Sequence, residues 1–273
     1  MAETNTVTVD IKDKVATVTF NRPNKRNAMS PAVHVEMTEV LEKLRYDTES
    51  RVVVFTGAGT SFCAGMDLKQ FFVELADNPP EFDRIFRLAT EWRSRTLRYY
   101  PKPTIAMVNG FCFGGAFAIV EGCDLAFAAK EATFGLSEIN FKHYPGGSVS
   151  KSLANLFRPR DALFYAMTGR PFQGDRAAEM GFVNAAYPLA DLNREVMEIA
   201  KEIAAKDPDA LTACKEGYRF SLEMSLDAAI NYAGAKSDQL TLRQKGSWRD
   251  EGIGDFLQGK YKPGLGGQEK VGS

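Results

Sequence analysis

Residues 102–128 read "KPTIAMVNGFCFGGAFAIVEGCDLAFA". An apolar run, "PTIAMVNGF", suits a buried strand. Gly114 and Gly115 follow it, and "GAFAIVE" then predicts a helix over about Gly115–Glu121. "DLAFAAK" reads as the next strand. The same order occurs earlier, where "RVVVFTGAG" is a continuous apolar run closed by glycines and "AGTSFCAGMDL" leads toward a helix at about Met66–Leu75. A further helix is predicted at about Pro80–Tyr100. Strands alternating with helices imply an α/β core with largely parallel pairing.

Working outward, "TVTVDIKDKVATVTFNRP" alternates apolar and polar residues around a polar turn, as a hairpin does. Ser30 is placed to cap a helix that has Pro31 at its first position. After about Leu189 the pattern turns to helix after helix without a strand signal. The predicted division is therefore a core over 1–195 and a helical region over 196–273.

The chain has 273 residues, 44% of them apolar, with 34 basic against 35 acidic residues and a net charge of −1. That balance argues against a dedicated nucleic-acid binder. The four cysteines form no CxxC pair and the two histidines lie far apart, so no zinc motif is read. Buried free thiols in a reducing compartment are expected instead. There is no signal-peptide pattern and no apolar run long enough to span a membrane. A cytoplasmic protein is the expectation.

Two glycine loops that end neighbouring parallel strands can aim two free N–H groups at one oxygen. The candidates are the N–H groups of Met66 and Gly115, which together would make an oxyanion hole. Tight turns and close packing account for the same glycines, and spacing alone favours that plainer reading. Dinucleotide binding fails because Phe62 stands where GxGxxG needs its last glycine. Three carboxylates are near enough in sequence to matter. Asp124 opens a strand and reads as structural, and Glu121 more readily serves a structural partner. Glu138 follows "ATFGL" in apolar company, where a raised pKa suits acid–base work; a lone glutamate is otherwise more often structural.

"NRPNKRNAMS", "AGMDLK", residues 102–128, "ATFGLSEINF" and "MTGRPFQGDRAAEMGFVN" occur in this order with the spacings of the crotonase (enoyl-CoA hydratase/isomerase) superfamily. The chain resembles that superfamily over nearly its whole length. Within it, "GMDLK", "ATFGLSEIN" and "FLQGKYKPGL" are most similar to hydroxycinnamoyl-CoA hydratase-lyases. The resemblance implies a crotonase-like core of repeated ββα units. It also implies a helical C-terminal region that builds trimers, or dimers of trimers, and closes the CoA site. Met66 and Gly115 fall on the family's oxyanion-hole positions, with the thioester carbonyl of an acyl-CoA as the oxygen held. Glu138 falls on a catalytic glutamate, whereas Ala118 stands at the position of the other; hydratase-lyases also lack it.

The implied chemistry is addition of water to an arylpropenoyl-CoA, then retro-aldol cleavage to an aromatic aldehyde and acetyl-CoA. No cofactor is implied, because coenzyme A is part of the substrate. The substrate-binding positions carried over are Arg26, Ala28, Ala64, Asp67, Leu68 and Gly114. Four more are Phe71, Tyr232, Gly234 and Lys262, with Lys260 a further candidate for phosphate contacts. Phe71 and Gly234 depart from the family, which has phenol-holding tyrosines there; neither side chain hydrogen-bonds a phenol, and Tyr232 is a possible substitute. Lys142, His143 and Tyr144 form an unusual loop, either facing the acyl pocket or capping the surface. The enzymatic rival is an enoyl-CoA hydratase or isomerase without cleavage. A non-catalytic RNA-binding relative is a rival of another class, disfavoured by near-neutral charge and the retained Glu138.

Overall fold

The structure, a computed structural model, describes residues 5–260. Lys262 and the tail after it lie outside the described residues. The predicted hairpin is formed by β1 (Val7–Lys12) and β2 (Val15–Phe20), which pair antiparallel. Asp13 and Lys14 at its turn both have positive φ, the twist a two-residue hairpin needs. Ser30 accepts a hydrogen bond from Val33 N at 3.4 Å and caps the helix Pro31–Tyr46.

β3 (Val52–Gly57), β4 (Ser61–Cys63), β5 (Thr104–Val108), β6 (Phe111–Phe113), β7 (Leu125–Ala129) and β8 (Thr133–Gly135) form three consecutive pairs. β9 (Phe172–Gln173) and β10 (Ala185–Tyr187) complete two sheets. The larger runs β1-β2-β3-β5-β7-β10 and is parallel apart from the hairpin. The smaller runs β4-β6-β8-β9, with β9 antiparallel. Each strand pair therefore gives its long member to one sheet and its short member to the other. This is the repeated ββα order of a crotonase-like core.

Val52 to Phe55 and Ile105 to Val108 are buried on both faces, as strands covered on two sides must be. The helix Leu189–Ala204 covers one face by packing on β3, β5 and β7. Three of the four free cysteines are buried as expected; Cys214 is exposed, on a helix face of the second unit. The predicted helix at 80–100 is two elements, an α-helix Pro79–Thr90 capped by Asn78 and a π-helical turn Glu91–Thr96. Among the described residues no helix is long and apolar enough to cross a membrane.

The chain divides into two compact units, ending and beginning at Lys206 and Asp207. The boundary read from sequence, 195/196, falls inside the helix Leu189–Ala204. The second unit pairs helices Pro208–Ser221 and Leu226–Arg243. Lys236 bonds Glu216, and Arg243 meets Asp209 at 3.2 Å. Neither helix buries a residue fully, and Leu222, Leu226, Ile230 and Leu242 are exposed.

The strand-pair corners pack backbone to backbone. A Cβ at Gly110, between β5 and β6, would lie 2.0 Å from Thr60 O. Gly110→Ala is therefore expected to cost about 3 kcal/mol or more, a fall of roughly 10 °C in Tm. Gly217, mid-helix with nothing within 4 Å of a Cβ, gives the opposite sign. Gly217→Ala should add about 0.8–1 kcal/mol to the second unit, read by denaturant unfolding of both variants beside the parent.

Candidate active site

The site is built where the β4 and β6 ends meet. Gly65 has φ 86°, which favours glycine. A Cβ there would lie 2.7 Å from Phe113 O and 3.4 Å from Gly115 N. The two loops are thus in contact through bare backbone. Covalent geometry then puts the Met66 and Gly115 nitrogens within about 7 Å of each other.

Both N–H groups are left over by the local structure. Met29 N donates to Gly65 O at 2.8 Å, and Asp67 N donates to Met29 O at 2.9 Å, in a parallel bridge. Residues flanking Met66 thus face Met29, and the Met66 N–H points to the opposite side. Gly115 lies in the first turn of the helical segment Gly114–Ala116, where N–H groups have no acceptor within the helix. Met66 and Gly115 are both partly exposed.

Glu138 meets the same loop from β8. A Cβ at Gly114 would lie 2.9 Å from Glu138 Oε1. The other oxygen, Oε2, is buried with no hydrogen-bond partner. Burial raises the Glu138 pKa above its ordinary 4.5, opposed weakly by a backbone hydrogen bond and by His143. A raised pKa suits a carboxyl to acid–base work.

The other two carboxylates are tied down. Glu121 is buried, bonded by Arg98 and by Asn155 Nδ2 at 3.0 Å. Asp124 accepts from the Thr104 N–H at 2.8 Å and its hydroxyl at 3.0 Å. Two N–H donors, a carboxyl with raised pKa and no competing acid describe a site for stabilising an enolate while moving protons at its carbon.

The enoyl-CoA hydratase/isomerase family profile matches residues 10–263. The chain belongs to this family. It is 48% identical to a hydroxycinnamoyl-CoA hydratase-lyase of Pseudomonas fluorescens over 95% of both chains. It is 31% identical to an (E)-benzylidenesuccinyl-CoA hydratase of Thauera aromatica, over 83% of this chain and 87% of the other. The crystal structure of an enoyl-CoA hydratase from Mycobacterium smegmatis superposes with a TM-score of 0.85 at 27% identity, covering 93% and 96% of the chains.

Around these loops, the residues read from sequence take distinct places. Ala28 and Ala64 are partly exposed beside the Met29–Met66 bridge. Arg26 is exposed, with left-handed backbone, and its guanidinium lies 4.8 Å from the Phe111 ring centroid. Leu68 is half exposed. Asp67 binds its neighbours instead of an open space. It pairs with Arg22 at 3.0 Å and caps the π-helical segment Leu68–Glu74 through Gln70 N at 3.1 Å. Its role is to fix the Met66 loop.

Phe71 differs from a pocket-lining residue, being 0% exposed. It packs on Phe72, Phe82 and His34 in a cluster that Met66 adjoins. Tyr232 and Gly234 belong to the second unit, where Tyr232 packs on Phe220 at 5.5 Å and Gly234 has nothing near a Cβ. Lys260 is exposed and pairs with Asp255 at 3.1 Å. Lys142, His143 and Tyr144 are at the surface, with the two rings stacked at 5.1 Å.

Sequence reading passed over Asn27 and Arg93. Asn27 is buried and donates to Ala58 O at 2.9 Å and Ser61 O at 2.7 Å, bracing the turn before β4. Arg93 Nη1 donates to Gly115 O at 3.3 Å. The available signal for Arg93 was its place four residues after Ala89, on the same helix face as that buried residue.

The raised Glu138 pKa sets two pH effects. Between 4.5 and its higher folded value, the folded protein keeps a proton that the unfolded chain has released. Stability therefore falls as pH rises through that window, and below it the group contributes nothing. Glu138→Gln should match the parent Tm at pH 4 and exceed it at pH 7. Wild-type kcat/KM should fall on acidification with a midpoint above 4.5; a midpoint at or below 4.5 would remove Glu138 as the titrating base.

Proposed function

We propose that this chain is an acyl-CoA hydratase-lyase acting on an arylpropenoyl-CoA. The observation that carries the reading is one active carboxyl beside a two-donor hole, with Ala118 buried where a two-glutamate hydratase has its other acid. The 48% likeness to a hydroxycinnamoyl-CoA hydratase-lyase over nearly the full chain favours cleavage over hydration alone.

Conjugation makes the β-carbon of an enoyl thioester electrophilic. Glu138 takes a proton from water as its oxygen adds to that carbon. Electron density moves to the thioester oxygen, which the Met66 and Gly115 N–H groups hold. Glu138 returns the proton to the α-carbon, giving the β-hydroxy ester. It next removes the β-hydroxyl proton. The Cα–Cβ bond breaks, the aromatic aldehyde leaves, and the acetyl-CoA enolate occupies the same hole until Glu138 protonates it. Loss of a single oxyanion donor in comparable sites costs about 10²–10³ in kcat. The reaction needs no cofactor beyond the CoA that the substrate brings.

The aryl preference rests on the phenylalanine cluster of Phe71, Phe72, Phe82 and Phe86, which the Met66 side chain adjoins. An acyl chain held at Met66 N–H passes beside this aromatic wall. Phe71, buried within that cluster, offers no hydroxyl to a free phenol. We further propose a trimer or dimer of trimers, since the second unit exposes Leu222, Leu226, Ile230 and Leu242 in the single chain.

Incubation with cinnamoyl-, 4-coumaroyl-, feruloyl- and crotonyl-CoA tests the reading by product mass. Acetyl-CoA with an aromatic aldehyde is expected, and Glu138→Ala should abolish it while CoA-ester binding stays within about threefold. A hydrated product without cleavage would make the chain a simple hydratase. Light scattering should give three or six copies per particle; a monomer would contradict the assembly.

A further inference from the structure

Among the described residues, Arg93 is a cation without an anion. It projects from the π-helical turn Glu91–Thr96, a local geometry that often accompanies functional sites. Its Nε donates to Ala89 O at 2.8 Å and its Nη1 to Gly115 O at 3.3 Å. A Cβ at Gly115 would lie 2.7 Å from Nη1, 3.3 Å from Met29 Cε and 3.5 Å from Met66 Cγ. The guanidinium thus sits directly behind the Gly115 half of the hole.

Its other neighbours carry no negative charge. Burial, with Arg93 itself, lowers the His34 pKa to about 3, so the imidazole is neutral. Burial pushes the Cys63 thiol up to about 12, so it stays protonated. Among the described residues no carboxylate lies within ion-pair distance of Arg93, although the same helical stretch gives Arg98 a partner in Glu121. Burial lowers the Arg93 pKa to about 10, which still leaves it charged at neutral pH.

A desolvated charge that lacks a partner lowers stability. Sites that break this rule commonly do so for function. In the reaction proposed above, the missing negative charge arrives with chemistry, as the enolate oxygen at Met66 and Gly115.

We propose that Arg93 is a positioning residue of the oxyanion hole, holding the Gly115 peptide in place and supplying fixed positive charge for the enolate. The inference rests on the acyl-CoA reading of the site. The guanidinium touches neither Glu138 nor the reacting carbons; it acts through Gly115 and through its field. A unit charge at roughly 8 Å in a partly screened interior accounts for about 10- to 100-fold in kcat.

The test compares Arg93→Met, Arg93→Gln and Arg93→Lys. Arg93→Met and Arg93→Gln should keep or raise Tm, because a buried unpaired charge is removed. They should lower kcat about 10- to 100-fold while KM changes less than about threefold. Arg93→Lys should recover most of the lost kcat. In a Glu138→Ala background, bound cinnamoyl-CoA reports carbonyl polarisation as a shift of its absorption to longer wavelength. That shift should persist in Arg93→Lys and shrink in Arg93→Met. Parental kcat and band position in Arg93→Met, equal impairment in Arg93→Lys, or failure of both neutral variants to fold would overturn the proposal. Wild-type protein that turns over no CoA ester would count against the proposed function instead, because the band shift reads the hole without turnover.

Discussion

The site depends on the contact of two chain segments that carry no side chains where they meet. Gly65 approaches Phe113 O and Gly115 N so closely that a single methyl group would separate them. Only across such a gap can the N–H groups of Met66 and Gly115 face one oxygen. The corner at Gly110, the braces from Asn27 and the Arg22–Asp67 pair all hold this approach from behind. The two-sheet core, with its long strands in one layer and short ones in the other, sets the loop ends side by side.

Electrostatics around that gap run against ordinary folding preferences. Among the described residues, Glu138 keeps a carboxylate oxygen buried without a partner, and Arg93 keeps a guanidinium away from any carboxylate. Each would be more stable if paired with something. Glu121 shows the alternative, because its carboxylate is held by Arg98 and Asn155 and is thereby withdrawn from chemistry. Hydrogen bonds thus separate the acidic residues in this fold into satisfied ones and one with a free oxygen.

Much of this was legible in the chain. The continuous apolar runs of β3 and β5 announce strands covered on both faces, and the glycine pairs after them announce open backbone. Glu138 follows a strand in apolar company, but the family resemblance was what distinguished it from Glu121 and Asp124. The smaller sheet was not legible as a sheet, because β4 and β6 span only three residues each and are masked by the glycines beside them. Phe71 holds a family position, and helical geometry turns its ring into an aromatic cluster. Asp67 carries a family position, but the Arg22 that claims it lies far away in sequence. Arg93 is one of several arginines in "RSRTLR", and only its helical spacing from Ala89 marks it as the one that turns inward.

The central claim is that Met66 N–H and Gly115 N–H hold one thioester oxygen with Glu138 beside it. A high-resolution crystal structure with acetyl-CoA bound tests it most directly. The account predicts the carbonyl oxygen at about 2.7–3.1 Å from both nitrogens, with the Glu138 carboxyl facing the methyl carbon. A carbonyl bound elsewhere, or held by only one of the two nitrogens, would contradict it.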